Sequence, residues 1–391
     1  MNLAVTRTPA ELAYGGELLP HARMEDWKWS NLRTLIDRPY PPRLKVEARP
    51  ADIERLLKAS PFARIAGRRM VFVNGHFDAK HSKLRNGDIA GGIANDEPVL
   101  TMNAAFATGG AHLVIEGTAD TPVELVFIAT AAQARTVATR NVIEIAAGAS
   151  ATLIETHLGE GDYLANSVTE IRLGDGARLD RVKVEREAAD AIHLAHAHVT
   201  MAKNARLRDF TLTSGARVNR QNGTYVFAGE GGDAKVAGAY LLGGRQHADT
   251  RLVVDHQKPH CTSRELFKCV MDDHARGIFQ GKVMVRPNAQ KTDGKQSSHA
   301  LLLSETAEFD AKPELEILAD DVVCGHGATS GDLDRDHLFY LRSRGIPERE
   351  AKSLLIAAFV GEAFEAIGHD GIRQALIDYA GGWLKQHGGG P

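Results

Sequence analysis

The chain has 391 residues, 43% apolar and 25% charged, with a formal net charge of -3. That length exceeds what one hydrophobic core usually serves, and the near-neutral charge gives no electrostatic case for nucleic acid or an anionic membrane. No apolar run reaches a membrane span, and three cysteines are too few for a disulfide scaffold.

The N-terminal MNLAVTRTPAELAYGG lacks a signal peptide's apolar core, so the expected setting is a reducing cytoplasm. Residues 1–68 read as a helical region. LAYGGELLPHARMEDWKWSNLRTL has helical apolar spacing broken by Gly15, Gly16 and Pro20, and Pro39-Tyr40-Pro41-Pro42 stops it. ADIERLLKAS (51–60) predicts a short amphipathic helix with Ile53, Leu56 and Leu57 on one face, and Trp27 and Trp29 are expected to pack this region on the main body.

From Arg69 the period changes to two, and residues 69–330 read as strand after short strand. A weak repeat runs through VIEIAAGASATLIE (142–155), VTEIRLGDGARLDRV (168–182), HAHVTMAKNARLRDF (196–210) and TYVFAGEGGDAKVAG (224–238). Matching the alanines at 151, 177, 205 and 234 gives steps of 26, 28 and 29. Strand-only repeats of that length suit a parallel β-helix; a β-sandwich is the rival.

Residues 331–391 return to helical spacing. Helices are expected over 334–345, over 348–367 with Pro347 at the first turn, and over 372–387, with a frayed tail from 388 to 391. The run LLIAAFVGEAF is too apolar for a helix wetted on one side, so part of its surface should meet a partner or another domain.

No G-x-x-x-x-G-K-[ST] occurs (the nearest is Gly294-Lys295-Gln296), nor a G-x-S-x-G or C-x-x-C. His196 and His198 share a strand face, yet no cysteine or carboxylate is placed to complete a metal set. Cys324-Gly325-His326-Gly327 is the better candidate: thiolate and imidazole fall on one face of an extended backbone and suit iron or zinc, with the remaining ligands supplied from elsewhere. Asp320-Asp321 would suit a polysaccharide-cleaving β-helix enzyme, or simply a solvated turn. Cys261 and Cys269 read as core thiols.

KTDGKQSSHALLLSE (291–305), KPELEILADDVVCGHGAT (312–329), FYLRSRGIP (339–347) and ARMEDWKWSNLR (22–33) together resemble the SufB/SufD family of iron–sulfur cluster assembly proteins. The short chain and the DDVVCGHGAT form are closer to the SufD branch. Ser297, Ser298 and Ala300 stand where the family often has asparagines. The resemblance implies a right-handed parallel β-helix core flanked by N-terminal and C-terminal helical regions. It implies a non-catalytic scaffold subunit working with a SufB-like sister and a SufC-like ABC-type ATPase. ATPase docking maps to roughly 332–367, with Phe339, Leu341, Arg342, Arg344, Leu354, Leu355 and Phe359 as contacts. It implies that His326 ligates iron or a transient iron–sulfur cluster shared with SufB, with Cys324 nearby. A structural brace without a metal role is the alternative; homodimerisation of the isolated chain and flavin binding by the complex are left open.

Overall fold

The computed structural model describes residues 19–42, 48–65, 67–87, 97–131 and 134–387; the readings for residues 12–18 and for the 388–391 tail lie outside them. Eighteen strands among these residues form two sheets. The ten-stranded sheet holds β1 (Arg68–Val73), β2 (His76–Phe77), β4 (Val123–Ala131), β6 (Ser150–Gly161), β8 (Arg178–Arg186), β10 (Arg206–Thr213), β12 (Asp233–Leu242), β14 (Thr262–Met271), β16 (Asp293–Leu302) and β18 (Val323–Gly331). The eight-stranded sheet holds β3 (His112–Ile115), β5 (Thr136–Ile145), β7 (Leu164–Leu173), β9 (Ile192–Met201), β11 (Val218–Phe227), β13 (His247–His256), β15 (Arg276–Val285) and β17 (Glu308–Ile317). Apart from the β1–β2 hairpin every pairing is parallel; β1 pairs with β4, and from β3 on each strand pairs with the one two places on. The chain therefore alternates between sheets, one strand in each per coil: a parallel β-helix, not a sandwich.

What repeats is a corner. Where an eight-sheet strand hands over to the next ten-sheet strand, one residue sits in the left-handed region: Gly148 (φ 71°), Gly176 (65°), Asn204 (56°), Gly231 (71°), His260 (60°) and Lys291 (61°). Each donates its N–H to a carbonyl of the next coil, on Asp175, Lys203, Glu230, Pro259, Gln290 and Asp321 respectively, at 2.6–3.1 Å. Glycine and asparagine tolerate this backbone best, which explains the small polar residues that break the strand pattern. The alanine matching needs correction at both ends, 151 and 234. Ser150 pairs Arg178 and Arg178 pairs Arg206, so Ala151 faces Leu179, Leu207 and Ala234, whereas Ala177 stacks between Ala149 and Ala205. The strand-only reading also fails at α3 (Pro98–Phe106), where Pro98 occupies the first turn and the Glu97 carboxylate accepts from Leu100 N at 3.0 Å.

Alternation sends every second side chain into the lumen. Phe72, Phe127 and His157 are successive neighbours in register and stack ring on ring, at 5.2 and 4.8 Å between centroids. Toward mid-helix the lumen turns polar. Arg181 joins Glu155 (2.7 Å) and Asp209 (2.9 Å), and Lys183 meets Glu185 (2.6 Å). Burial alone would lower His193, but Glu185 and Glu187 outweigh it and hold its pKa at about 9.

The outer faces are clad. On α2 (Pro50–Ala59), Ile53, Leu56 and Leu57 pack on Val71, Val126, Ile128 and Leu158. Trp27, only 2% exposed, ends a single 3-10 turn (Glu25–Trp27) and its ring centre lies 4.5 Å from the Arg220 guanidinium; Trp29 is half-buried. The helical spacing near residue 30 yields only a one-turn helix α1 (Leu32–Leu35). The C-terminal helices are α4 (Arg335–Ser343), α5 (Glu348–Phe364, with Pro347 at its N-cap) and α6 (Asp370–His387). Ile356, Val360, Ala363 and Phe364 of α5 pack with Val182, Phe210, Leu241 and Val270 on the ten-stranded sheet. Lys268 fastens this contact, bonding Glu362 at 2.6 Å with its ammonium 4.6 Å from the Phe359 ring. Much of the apolarity of α5 is thus used within the chain. No helix among the described residues is long and apolar enough to cross a membrane.

Two tests follow from this architecture. A Cβ at Gly176 would meet nothing within 4 Å, so Gly176→Ala isolates the left-handed corner; it should lower stability by about 1 kcal/mol, and an unchanged urea midpoint would count against the corner's role. Glu265, 3% exposed, lies in the lumen with neither oxygen in hydrogen-bond geometry. Burial raises its pKa from 4.5 to about 7, with Ser263 and Arg264 pulling the other way. Its ionisation is penalised only in the fold, so the penalty is absent below about pH 4.5 and complete above about pH 7. Stability should fall across that window by about 3 kcal/mol, and Glu265→Gln should abolish the fall. Urea titrations at pH 5 and pH 8 measure this; an equal change in both proteins would show that another group is responsible.

Candidate functional site

Cys324 and His326 lie on β18, the last strand of the ten-stranded sheet. The glycines around them do not make a bend: the segment is extended, paired with β16 on one side and open on the other. Two residues apart on a strand, the thiol and imidazole share a face. Cys324 pairs with Gly294 and His326 with Gln296. A Cβ on Gly294 would lie 3.5 Å from the Cys324 sulfur, an ordinary contact distance, so the thiol sits directly over this position. Cys324 is half-buried against Val283, Val285 and Ala289, and burial pushes its pKa up. His326 is exposed. The two positions are therefore chemically unequal: a thiol held toward its protonated form, and an imidazole on the same lumen-side face, exposed at the open end. Gly325 and Gly327 have open space where a Cβ would be, so packing within this chain does not demand glycine at either place.

This end of the β-helix is uncapped. All of β17 is half-exposed or exposed, whereas β7 and β12 are mostly buried. Ile317, Leu318 and Val323 are 39%, 55% and 63% exposed. Both sheet edges present one row of unpaired backbone donors and acceptors, a template for another chain.

Sequence reasoning missed what lies behind the pair. Glu265, Gln296 and His326 are neighbours in register on β14, β16 and β18, a line from the buried carboxylate to the exposed imidazole. Nothing in a strand pattern marks this line, because register depends on the length of each coil. His193 also faces the lumen, opposite to His196 and His198, and finds its carboxylates on the preceding strand and turn. Cys261 and Cys269 are fully buried, and burial raises both thiols. Asp320 and Asp321 are exposed turn residues, Asp321 paired with Lys291. Gly294-Lys295-Gln296 lies within β16, not in a loop leading into a helix.

On the helices the predicted contact residues divide. Phe359 is half-buried against the sheet-side cluster, Leu341 and Leu355 are half-buried, and Arg342 and Arg344 are exposed. Phe339 is 73% and Leu354 48% exposed, and Tyr340, not singled out from sequence, is 56% exposed.

The family profile described as "SUF system FeS cluster assembly, SufBD core domain" matches residues 127–359, which takes in the mid and late coils, β18, α4 and most of α5. The iron–sulfur cluster assembly protein SufD of Escherichia coli is 30% identical over 92% of this chain and 88% of its own length. A SufBD family protein of Synechocystis is 29% identical over 90% of this chain and 85% of its own. SufD of Bacillus subtilis is 30% identical over 73% and 67%. An uncapped parallel β-helix ending in a thiol–imidazole pair, matched along its length in this way, belongs to the SufBD family of iron–sulfur cluster assembly proteins.

Proposed function

We propose that the chain is the SufD-like subunit of a cytoplasmic SUF scaffold, without turnover of its own. It works with a SufB-like sister subunit and a SufC-like ABC-type ATPase to build and release nascent clusters. The observation that carries this reading is the exposed His326 on the open edge of an uncapped β-helix. A second solenoid continuing either sheet edge would cover this end and bring its own ligands to the imidazole. The empty space at Gly325 and Gly327 leaves room for that approach.

In this reading the nascent cluster, as cargo, is held between His326 and a thiolate of the sister subunit. Neutral imidazole in place of an anionic thiolate lowers the negative charge on the cluster and loosens it, as release requires. Cys324, held toward the protonated thiol, is a supporting group near the site. Phe339, Leu341, Arg342, Arg344, Leu354, Leu355 and Phe359 form the ATPase-docking region, and nucleotide-driven closure there would open the interface as a rigid-body movement. Exposed aromatics and arginines are the residue types that dominate such contacts.

Co-expression with both partners under anaerobic conditions tests the reading. His326→Ala should keep the partners but lower cluster yield by at least about tenfold, since even outer-shell changes cost that much in metal affinity. Full yield would leave the subunit as a structural brace. Phe339→Ala should weaken ATPase binding by about 2 kcal/mol, roughly thirtyfold in Kd, and unchanged co-purification would move the docking surface elsewhere.

A further inference from the structure

His157, Glu187 and His193 each place a donor atom within 4.8 Å of the others, deep in the lumen and away from the open end. They come from β6, from the turn after β8, and from β9. All three side chains are at most 3% exposed. Each imidazole is already tied by Nε2 to a buried carboxylate: His157 to Glu155 at 2.8 Å, and His193 to Glu185 at 2.9 Å. Metal-binding histidines are commonly oriented by a bond of this kind, and an ion would take Nδ1 of His193 in place of its proton. Nδ1 of His193 and Oε2 of Glu187 approach to 2.8 Å, yet neither atom has a partner in hydrogen-bond geometry. A cavity of about 20 Å³, lined by His157 and Glu187 among mostly apolar neighbours such as Phe127 and Leu158, adjoins those two residues, enough for one small ion or water.

Charge points the same way. Glu155, Glu185, Glu187 and Asp209 are four buried carboxylates, facing only Arg181 and Lys183 as permanent cations. With His193 charged, as Glu185 and Glu187 hold it, the cluster is one positive charge short of balance, and a dication that displaced its proton would bring the sum to zero. Isolated buried charge is strongly disfavoured, and one dication supplies the deficit. Lys183 lies 3.2 Å from His193 Nε2, on the side away from Nδ1, and its ammonium is taken up by Glu185.

We propose that His157, Glu187 and His193 form a buried site for one divalent first-row transition ion, of the iron(II) or zinc(II) class. Two imidazoles and one carboxylate are the donors these ions take, with a fourth position left open. The site does not depend on the SUF reading and is separate from Cys324 and His326.

The full-length chain, stripped with EDTA and titrated with Co²⁺ as a spectroscopic stand-in, decides this. Wild type and the Cys324→Ser/His326→Ala double variant should each bind one Co²⁺ with ligand-field bands in the visible. Glu187→Gln should weaken binding at least about tenfold. Added Co²⁺ should raise the melting temperature of wild type and of the double variant alike, so the test survives if Glu187→Gln fails to fold. Absence of binding by wild type would overturn the proposal, and so would loss of binding in the double variant or full binding by folded Glu187→Gln.

Discussion

Each coil can exist only on the coil beneath it. From β3 on the parallel ladders join residues 26 to 32 positions apart, and the left-handed corner closes each coil onto the next with a single N–H···O=C bond. No strand has a local partner apart from β1 and β2. All register in the molecule, including the line that places Glu265 behind His326, is inherited from the lengths of the coils. A one-residue change in any coil would turn lumen residues outward. At two of the corners His260 and Lys291 hold the left-handed conformation despite their Cβ atoms.

The lumen changes character along its axis. Near the start it is filled by stacked rings, in the middle by a dense ion-pair network, and near the open end by small residues and an orphan carboxylate. A hydrophobic filling throughout would be simpler to stabilise, since buried ion pairs rarely repay their desolvation. The polar middle therefore invites a role beyond packing.

The solenoid class was legible because alternation and a regular step are local properties of strands, and the turn residues carry the corner conformation. The three C-terminal helices were legible from apolar spacing. The exact repeat was less so: Ala151 and Ala177 look equivalent in sequence, but they sit two positions apart in register, which only the hydrogen-bond ladder reveals. Helix α3 was missed although Glu97-Pro98 is a helix start, because the apolar PVLTMNAAF fits a buried strand as well. Cys324 and His326 stood out through residue type and spacing. Glu265, Gln296 and the His157–Glu187–His193 group did not, because Gln296 and His326 lie about one coil apart, as do Glu265 and Gln296, and His157 lies about a coil from Glu187 and His193.

The cladding stops short of the site. Helices α5 and α6 cover β8 to β14, and only Leu301 and Leu303 of the later coils touch that cluster, at its margin. In a stack where each unit is steadied only by its neighbours, the terminal unit has half the support of the rest. Fraying should therefore begin at β17 and β18 and fade toward the middle, leaving the strand that bears His326 the fastest to exchange its amide protons. A subunit seated on this end would act as the missing coil, so that ordering of the ligand strand and assembly of the complex become a single thermodynamic event.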